Sequence, residues 1–145
     1  MVKLSYFNPF TRITHLEKAK LVEFLRQNVE NGHFSTEEIL EAIECAVKER
    51  PSFGGFILTF QEEDQTVGAL VVSNTGMENR NAKHRLTMLA VDKRYRHNGI
   101  PQKLIQKAAE HAGGELALQL EPGKEEVAFF ENLGFKARYV EMRLG

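Results

Sequence analysis

A chain of 145 residues, 42% hydrophobic and 27% charged, fits one domain with a sizeable core, so we expect a single domain over residues 1–145. Its formal net charge of −1 argues against a nucleic-acid partner, because nucleic-acid binders usually carry a clearly basic surface. One cysteine excludes an intramolecular disulfide, and no apolar run approaches the roughly 18 residues that cross a bilayer. These features predict a cytoplasmic protein with no membrane partner.

Two capping signals mark the first two helices. Thr14 is followed three residues later by Glu17, and Ser35 is followed in the same way by Glu38, which is the capping-box pattern. Apolar residues then recur at helical spacing after each cap. A short strand at residues 3–7 is predicted before the first of these helices.

Short runs rich in β-branched and aromatic residues follow the second helix. GGFILTF and TVGALVVSN, separated by polar QEEDQ, predict a hairpin, and HRLTMLAV predicts another strand. A helix over residues 101–112, a strand at ELALQL, a helix at EEVAFFENL and a last strand at ARYVEMRL complete the chain. The order β-α-α-β-β-β-α-β-α-β predicts the α/β class, with a mixed sheet flanked by helices.

The stretch AVDKRYRHNGIPQKL joins the strand that ends at Val91 to the helix that begins near Ile100. A helix N-terminus presents unpaired N–H groups and a partial positive charge, which attract phosphate. Gly99 lets the backbone approach an anion, and Arg96 adds a full charge, whereas Pro101 removes one donor. From these residues alone, a phosphate site and a solvated loop remain alternatives.

Arg96, Gly99 and Pro101 occupy the three defined places of a pattern that resembles motif A of the GNAT N-acetyltransferase superfamily, Arg/Gln-x-x-Gly-x-Gly/Ala after a strand. FFENLGF, at residues 129–135, resembles the second signature of that family. The resemblance covers nearly the whole chain and implies the GNAT acyl-CoA N-acyltransferase fold. It also implies acetyl-CoA as co-substrate and no metal, with the co-substrate in a gap between the HRLTMLAV and ELALQL strands.

The resemblance further implies how the co-substrate is held. Its pyrophosphate would rest on the backbone of residues 97–102, and its pantetheine arm would pair like an extra strand with residues 89–91. A backbone N–H near Val91 would hold the thioester oxygen. The cofactor-binding residues implied in this way are Leu89, Ala90, Val91, Arg96, His97, Asn98, Gly99, Ile100, Pro101, Gln102 and Phe129.

The catalytic groups are less well defined than the co-substrate loop. Phe130 stands where many members of the family have a tyrosine that protonates the departing thiolate, and phenylalanine has no proton to give. Glu121 and Thr87 are the candidate proton acceptors, with a water chain as an alternative. Strand alternation places Arg85 and Thr87 on the face of Val91, and Arg85 is a candidate for holding a substrate carboxylate.

Two classes of function fit these observations. The first is an enzyme that moves an acetyl group from acetyl-CoA to a primary amine of a small molecule, a peptide or a protein by direct attack. The second is a catalytically weak or inactive acyl-CoA-binding or interaction module with the same fold, suggested by Phe130 and Pro101. Dimers are common in the family, and a homodimer is compatible with the sequence.

Overall fold

A computed structural model of the protein describes residues 2–78, 82–121 and 124–145. A short 3-10 turn, Lys93–Tyr95, precedes the third helix. Over the described ranges no helix is both long and apolar enough to span a membrane. The strands and helices follow in the order β1 (Val2–Phe7), α1 (His15–Asn28), α2 (Thr36–Ala46), β2 (Gly55–Glu62), β3 (Gln65–Asn74), β4 (His84–Val91), α3 (Ile100–His111) and α4 (Lys124–Asn132).

Both predicted capping boxes are present, and they set where α1 and α2 begin. The Thr14 hydroxyl accepts a hydrogen bond from the Glu17 backbone N–H at 3.1 Å, and the Glu17 carboxylate accepts one from the Thr14 N–H at 2.9 Å. Ser35 and Glu38 exchange the same pair of hydrogen bonds. Because α1 ends at Asn28 and α2 begins after Ser35, residues 29–35 form the connection between the two helices.

The four strands form one antiparallel sheet in the order β1-β2-β3-β4, with helices on both faces, which confirms the predicted α/β class. Residues of α1 and α2 pack on one face against Ile57, Val71 and Met88. Residues of α3 and α4 pack on the other face against Leu58 and other strand residues. Each face therefore buries its own apolar cluster.

The segment predicted as a fifth strand touches β4 at one point. The Leu86 N–H donates to the Ala117 carbonyl at 2.8 Å, and the Ala117 N–H donates to the His84 carbonyl at 3.2 Å, which makes a parallel bridge between Arg85 and Ala117. Among the described residues no further backbone pairing joins β4 to residues 118–121. Within the described residues the backbone pairing of the two segments therefore stops at this bridge, and the gap between them stays a prediction.

The last predicted strand, at residues 137–144, carries no strand assignment in the structure. A strand needs the edge of a partner, and the neighbouring segment around Ala117 is itself attached at a single bridge. A side-chain hydrogen bond of 2.6 Å from Gln119 to Glu141 is the contact that brings the two segments together. The alternating Val140 and Met142 are consequently exposed, at 88% and 89%.

A β-bulge in β4 changes which side chains face α3 and α4. Val71 pairs with Met88 whereas Val72 pairs with Leu86, so Thr87 is an extra residue in β4. The Thr87 hydroxyl lies 3.1 Å from that of Ser73, on the α1–α2 face. The expectation that Arg85 and Thr87 share the face of Val91 is therefore wrong, because one inserted residue moves all preceding side chains to the other face.

Candidate active site

The turn between β4 and α3 presents an open helix N-terminus. Gly99 is the N-cap residue with φ of +78°, and no side chain caps α3. A Cβ added at Gly99 would meet no atom within 4 Å, so the space in front of this turn is clear. The N–H groups of the first helical turn, apart from the missing one of Pro101, are thus available to an anion.

Close packing on β3 fixes this helix N-terminus in place. Ile100 and Leu104 of α3 are buried, at 3% and 0% exposure. They lie so near Gly68 that a Cβ there would come within 2.8 Å of a methyl group of each. The absence of a side chain at Gly68 therefore lets α3 sit directly on the sheet.

A cavity of about 250 Å³ adjoins the turn, between the start of α3 and α4. The Arg96 guanidinium lies 5.0 Å above the ring of Phe129, a cation–π contact across this cavity. The structure thus brings together five of the residues that the sequence assigned to co-substrate binding. The lining residues are Arg96, His97, Pro101, Gln102, Phe129, Asn132 and Leu133.

Carboxylates neutralise much of the basic cluster in this turn. Arg94 pairs with Asp92 at 2.9 Å, and Arg96 pairs with Glu30 at 3.1 Å. The Glu30 side chain is only 11% exposed, and this burial raises the pKa of its carboxyl group, although the nearby Arg96 and Lys93 favour the ionised form. Sequence reasoning missed Glu30, since no local pattern connects it to Arg96.

The outer edge of β4 is covered by residues 29–31. The Glu30 N–H donates to the Leu89 carbonyl at 2.7 Å. The Asn31 carboxamide donates to the Thr87 carbonyl at 2.9 Å and accepts from the Leu89 N–H at 3.1 Å. An antiparallel bridge between Val29 and Ala90 continues the contact. The edge that the resemblance reserves for an extended arm is therefore already paired within the chain.

The residues considered for proton transfer lie apart from one another. Phe130 is 1% exposed and packs edge-to-face against Phe129 and Phe135, with ring centroids 5.2 and 5.7 Å away. It belongs to the core and does not line the cavity. Glu121 is exposed, and the Thr87 hydroxyl is engaged with Ser73, so no hydrogen bond joins the two candidates.

Arg85 lies half-buried on the α1–α2 face, opposite Ser73 in the neighbouring strand and beside the bridge to Ala117. Within the described part of the chain it forms no ion pair. It therefore stands at the point where β4 and the following segment separate, on the side away from α3 and α4.

Solved structures with the same fold come from several bacterial acetyltransferases. A possible acetyltransferase from Clostridium difficile 630 has a TM-score of 0.68 at 15% identity, with 100% of this chain and 97% of that chain covered. A putative GNAT acetyltransferase from Desulfovibrio desulfuricans has a TM-score of 0.68 at 18% identity, covering 94% and 87%. The aminoglycoside N-acetyltransferase AAC(6')-Iy, solved in complex with CoA, has a TM-score of 0.67 at 14% identity, covering 99% and 96%.

These likenesses show the fold: a GNAT-type α/β acetyltransferase domain. A comparison with curated protein sequences gave no match. The family model described as an acetyltransferase (GNAT) domain matches residues 22–143. The chain therefore belongs to the GNAT acetyltransferase family.

Proposed function

We propose that this protein transfers an acetyl group from acetyl-CoA to a primary amine of a small molecule, a peptide or a protein. The amine nitrogen attacks the thioester carbonyl directly, so a C–N bond forms, the C–S bond breaks, and the amine gives up one proton. Family membership and fold support acetyl transfer as the class of reaction. The open α3 N-terminus beside Arg96 is the observation that supports this chain's binding of a CoA ester.

The residues around the turn suit the diphosphate group of CoA. The backbone N–H groups of Ile100 and Gln102 point out of the first turn of α3, and Arg96 supplies a full positive charge next to them. Gly99 leaves room for the anion to reach the backbone. Pro101 lacks one N–H donor, so we expect a weaker phosphate contact than four free donors would give.

Catalysis in such a site depends mainly on positioning. An amine of pKa near 10 is largely protonated at neutral pH and must lose a proton before it attacks. Glu121 or a water chain remain the candidate routes for that proton, whereas the Thr87 hydroxyl is engaged with Ser73 on the α1–α2 face. Phe130 cannot protonate the thiolate, so the departing sulfur would take its proton from water. Holding the two reactants together then supplies most of the rate enhancement.

Arg85 is the candidate group for recognising an amine that also bears a carboxylate. Arg85 is a half-buried guanidinium without an ion pair in the described ranges, and its planar donor face matches a carboxylate. It lies on the α1–α2 face, opposite the face that packs against α3 and α4. A free amino acid, which carries both groups in one small molecule, therefore fits better than a polyamine.

A binding module that senses acyl-CoA is the second candidate function. The buried Phe130 and the exposed Glu121 favour it, because neither residue supplies a positioned acid or base. Such a module would bind acetyl-CoA through the same turn but would not turn it over. Saturable release of CoA thiol in the presence of an amine separates the enzyme from this module.

The first experiment is a calorimetric titration of acetyl-CoA into the wild-type protein and the Arg96→Ala variant. We expect the variant to bind about tenfold more weakly, as for the loss of one charge-assisted phosphate contact. The matched control is Arg94→Ala, which removes the same charge two residues earlier, where the side chain is 71% exposed and pairs with Asp92. Equal losses in the two variants would place the diphosphate elsewhere.

A panel of amines, with and without a carboxylate, then tests turnover by release of free CoA thiol. The proposal expects saturable release with at least one amine and formation of the acetylated amine by mass spectrometry. Binding of acetyl-CoA without turnover by any amine or peptide would favour the binding module. If the protein does not bind acetyl-CoA at millimolar concentration, both the enzyme and the binding module are excluded.

A further inference from the structure

Residues 29–31, in the connection between α1 and α2, contact two features of the protein that the proposed binding of acetyl-CoA also needs. One feature is the outer edge of β4, and the other is the guanidinium of Arg96. Groups of this chain whose chemistry resembles that of the ligand already bind both features. The Asn31 carboxamide is hydrogen-bonded to the β4 backbone, and the Glu30 carboxylate is paired with the Arg96 guanidinium. We call residues 29–31 the latch segment.

The amide groups of Glu30 and Asn31 occupy the β4 edge as the amide groups of a bound ligand would. The pantetheine arm of CoA contains two amide groups, and an arm extending from the α3 N-terminus along β4 meets the backbone of Leu89. In the structure the Leu89 N–H donates to the Asn31 side chain at 3.1 Å and its carbonyl accepts from the Glu30 N–H at 2.7 Å. Asn31 is only 8% exposed, so these bonds are shielded from water.

The charged part lies at the turn itself. The Glu30 carboxylate is 3.1 Å from an Arg96 Nη atom, and its side chain is 11% exposed against 37% for Arg96. An anion arriving at the α3 N-terminus must share this guanidinium or take it from Glu30. Since one backbone donor is already missing at Pro101, Arg96 has a large part in holding the anion.

We propose that the latch segment closes the co-substrate groove, and that acetyl-CoA binds by displacing Asn31 from the β4 edge and Glu30 from Arg96. This inference rests on the proposed function. Only molecules with the latch segment released bind the ligand fully, so the apparent affinity is reduced by the fraction of molecules in that state. Glu30 and Asn31 thereby determine the affinity for acetyl-CoA without being catalytic residues.

The test compares acetyl-CoA binding by wild type, Glu30→Gln and Glu23→Gln in the same calorimetric titration. Glu30→Gln keeps the shape of the side chain and removes the charge that competes for Arg96, and we expect roughly fivefold tighter binding. Glu23→Gln is the matched control, because it removes the same charge from α1 at a residue that pairs with Arg26. Unchanged binding by Glu23→Gln shows that net charge is not the cause.

Hydrogen exchange gives a second readout that does not depend on activity. In the free protein we expect the amides of Glu30 and Leu89 to be protected, and saturating acetyl-CoA to speed exchange at Glu30 while Leu89 stays protected. Asn31→Ala should produce faster exchange at both amides without ligand. Continued protection of the Glu30 amide in the complex would overturn the latch.

The outcomes separate this inference from the proposed function. If acetyl-CoA binds wild type, Glu30→Gln and Asn31→Ala equally well, the latch is wrong and the proposed function stands. If Glu30→Gln or Asn31→Ala binds more tightly than wild type, both stand. If acetyl-CoA binds neither wild type nor any of the variants, no ligand enters even when the latch segment is weakened, and both proposals fail.

Discussion

Phe130, which the resemblance places where many members of the family have a tyrosine, is a core residue in the structure. Its ring is 1% exposed and lies between the rings of Phe129 and Phe135 in edge-to-face contacts. The cavity beside Arg96 is lined by the neighbouring Phe129. Restoring a tyrosine at position 130 would therefore add a hydroxyl to the core and not to the site.

We expect Phe130→Tyr to lower the free energy of unfolding by about 1–3 kcal/mol, because its hydroxyl would be buried without a partner. We expect no gain in acetyl transfer. Urea unfolding and CoA-thiol release measure the two effects, and Phe129→Tyr is the control for unfolding only, since that ring is half-buried and borders the cavity. Unchanged stability together with faster turnover would show that the ring at position 130 reaches the reacting thiol.

At the residue scale, local patterns predicted the turn but not the partners of its residues. Arg96 and Gly99 were evident because a charge and a glycine follow a strand and precede a helix. The ion pair between Arg96 and Glu30 gave no signal, since it depends on how the end of α1 meets the end of β4. A charged residue's partner is a tertiary property, and it is decided by packing that no short motif encodes.

Among the elements, β3 and α3 are joined by an unusually close approach at Gly68. A Cβ there would come within 2.8 Å of methyl groups on Ile100 and Leu104, both of them buried. The position of the α3 N-terminus, and with it the proposed anion site, therefore depends on a residue in the middle of the sheet.

We expect Gly68→Ala to lower the free energy of unfolding by about 1–3 kcal/mol through overpacking. It should also weaken acetyl-CoA binding, because α3 must shift away from β3 to admit the extra carbon. Thermal unfolding and calorimetric titration measure these effects, with Gln65→Ala, exposed at the start of the same strand, as control. A stable variant with unchanged binding would mean that α3 accommodates the methyl group without moving.

Most helices and strands could be predicted from the sequence, and the predictions that failed concern strands whose structure depends on a neighbouring strand. Capping boxes at Thr14 and Ser35 are local chemistry, and both are confirmed. The bulge at Thr87 is not local, because the pairing with β3 skips this residue although no glycine or proline in HRLTMLAV marks the position. The last predicted strand fails for a similar reason, since its alternating pattern finds no strand edge to join.

For the molecule as a whole, His84 couples stability to pH. It lies at the start of β4, half-buried, with its ring centroid 6.3 Å from that of Phe56. Burial, with a smaller contribution from the adjacent Lys83, lowers the pKa of its imidazole, although a hydrogen bond to the Ala112 backbone favours the charged form. Folding therefore favours the neutral ring.

A lowered folded-state pKa means that the unfolded chain binds a proton first as the pH falls. The stability contributed by neutral His84 is thus fully present above the ordinary histidine pKa of about 6.5 and is lost as the pH falls through the lower folded value. We expect the free energy of unfolding to fall less steeply from pH 7 to pH 5 in His84→Gln than in wild type. Urea unfolding across this range measures the slopes, and His33→Gln, at an exposed position, should match wild type.

The single bridge between Arg85 and Ala117 has a consequence for the order in which the molecule assembles and loosens. The antiparallel pairs β2–β3 and β3–β4 join strands adjacent in sequence, so they close short loops and we expect them to form early. The bridge closes a longer loop, which contains α3, and it gains only two backbone hydrogen bonds. We expect it to form late and to open first, so that the groove can widen while the four-stranded sheet stays intact.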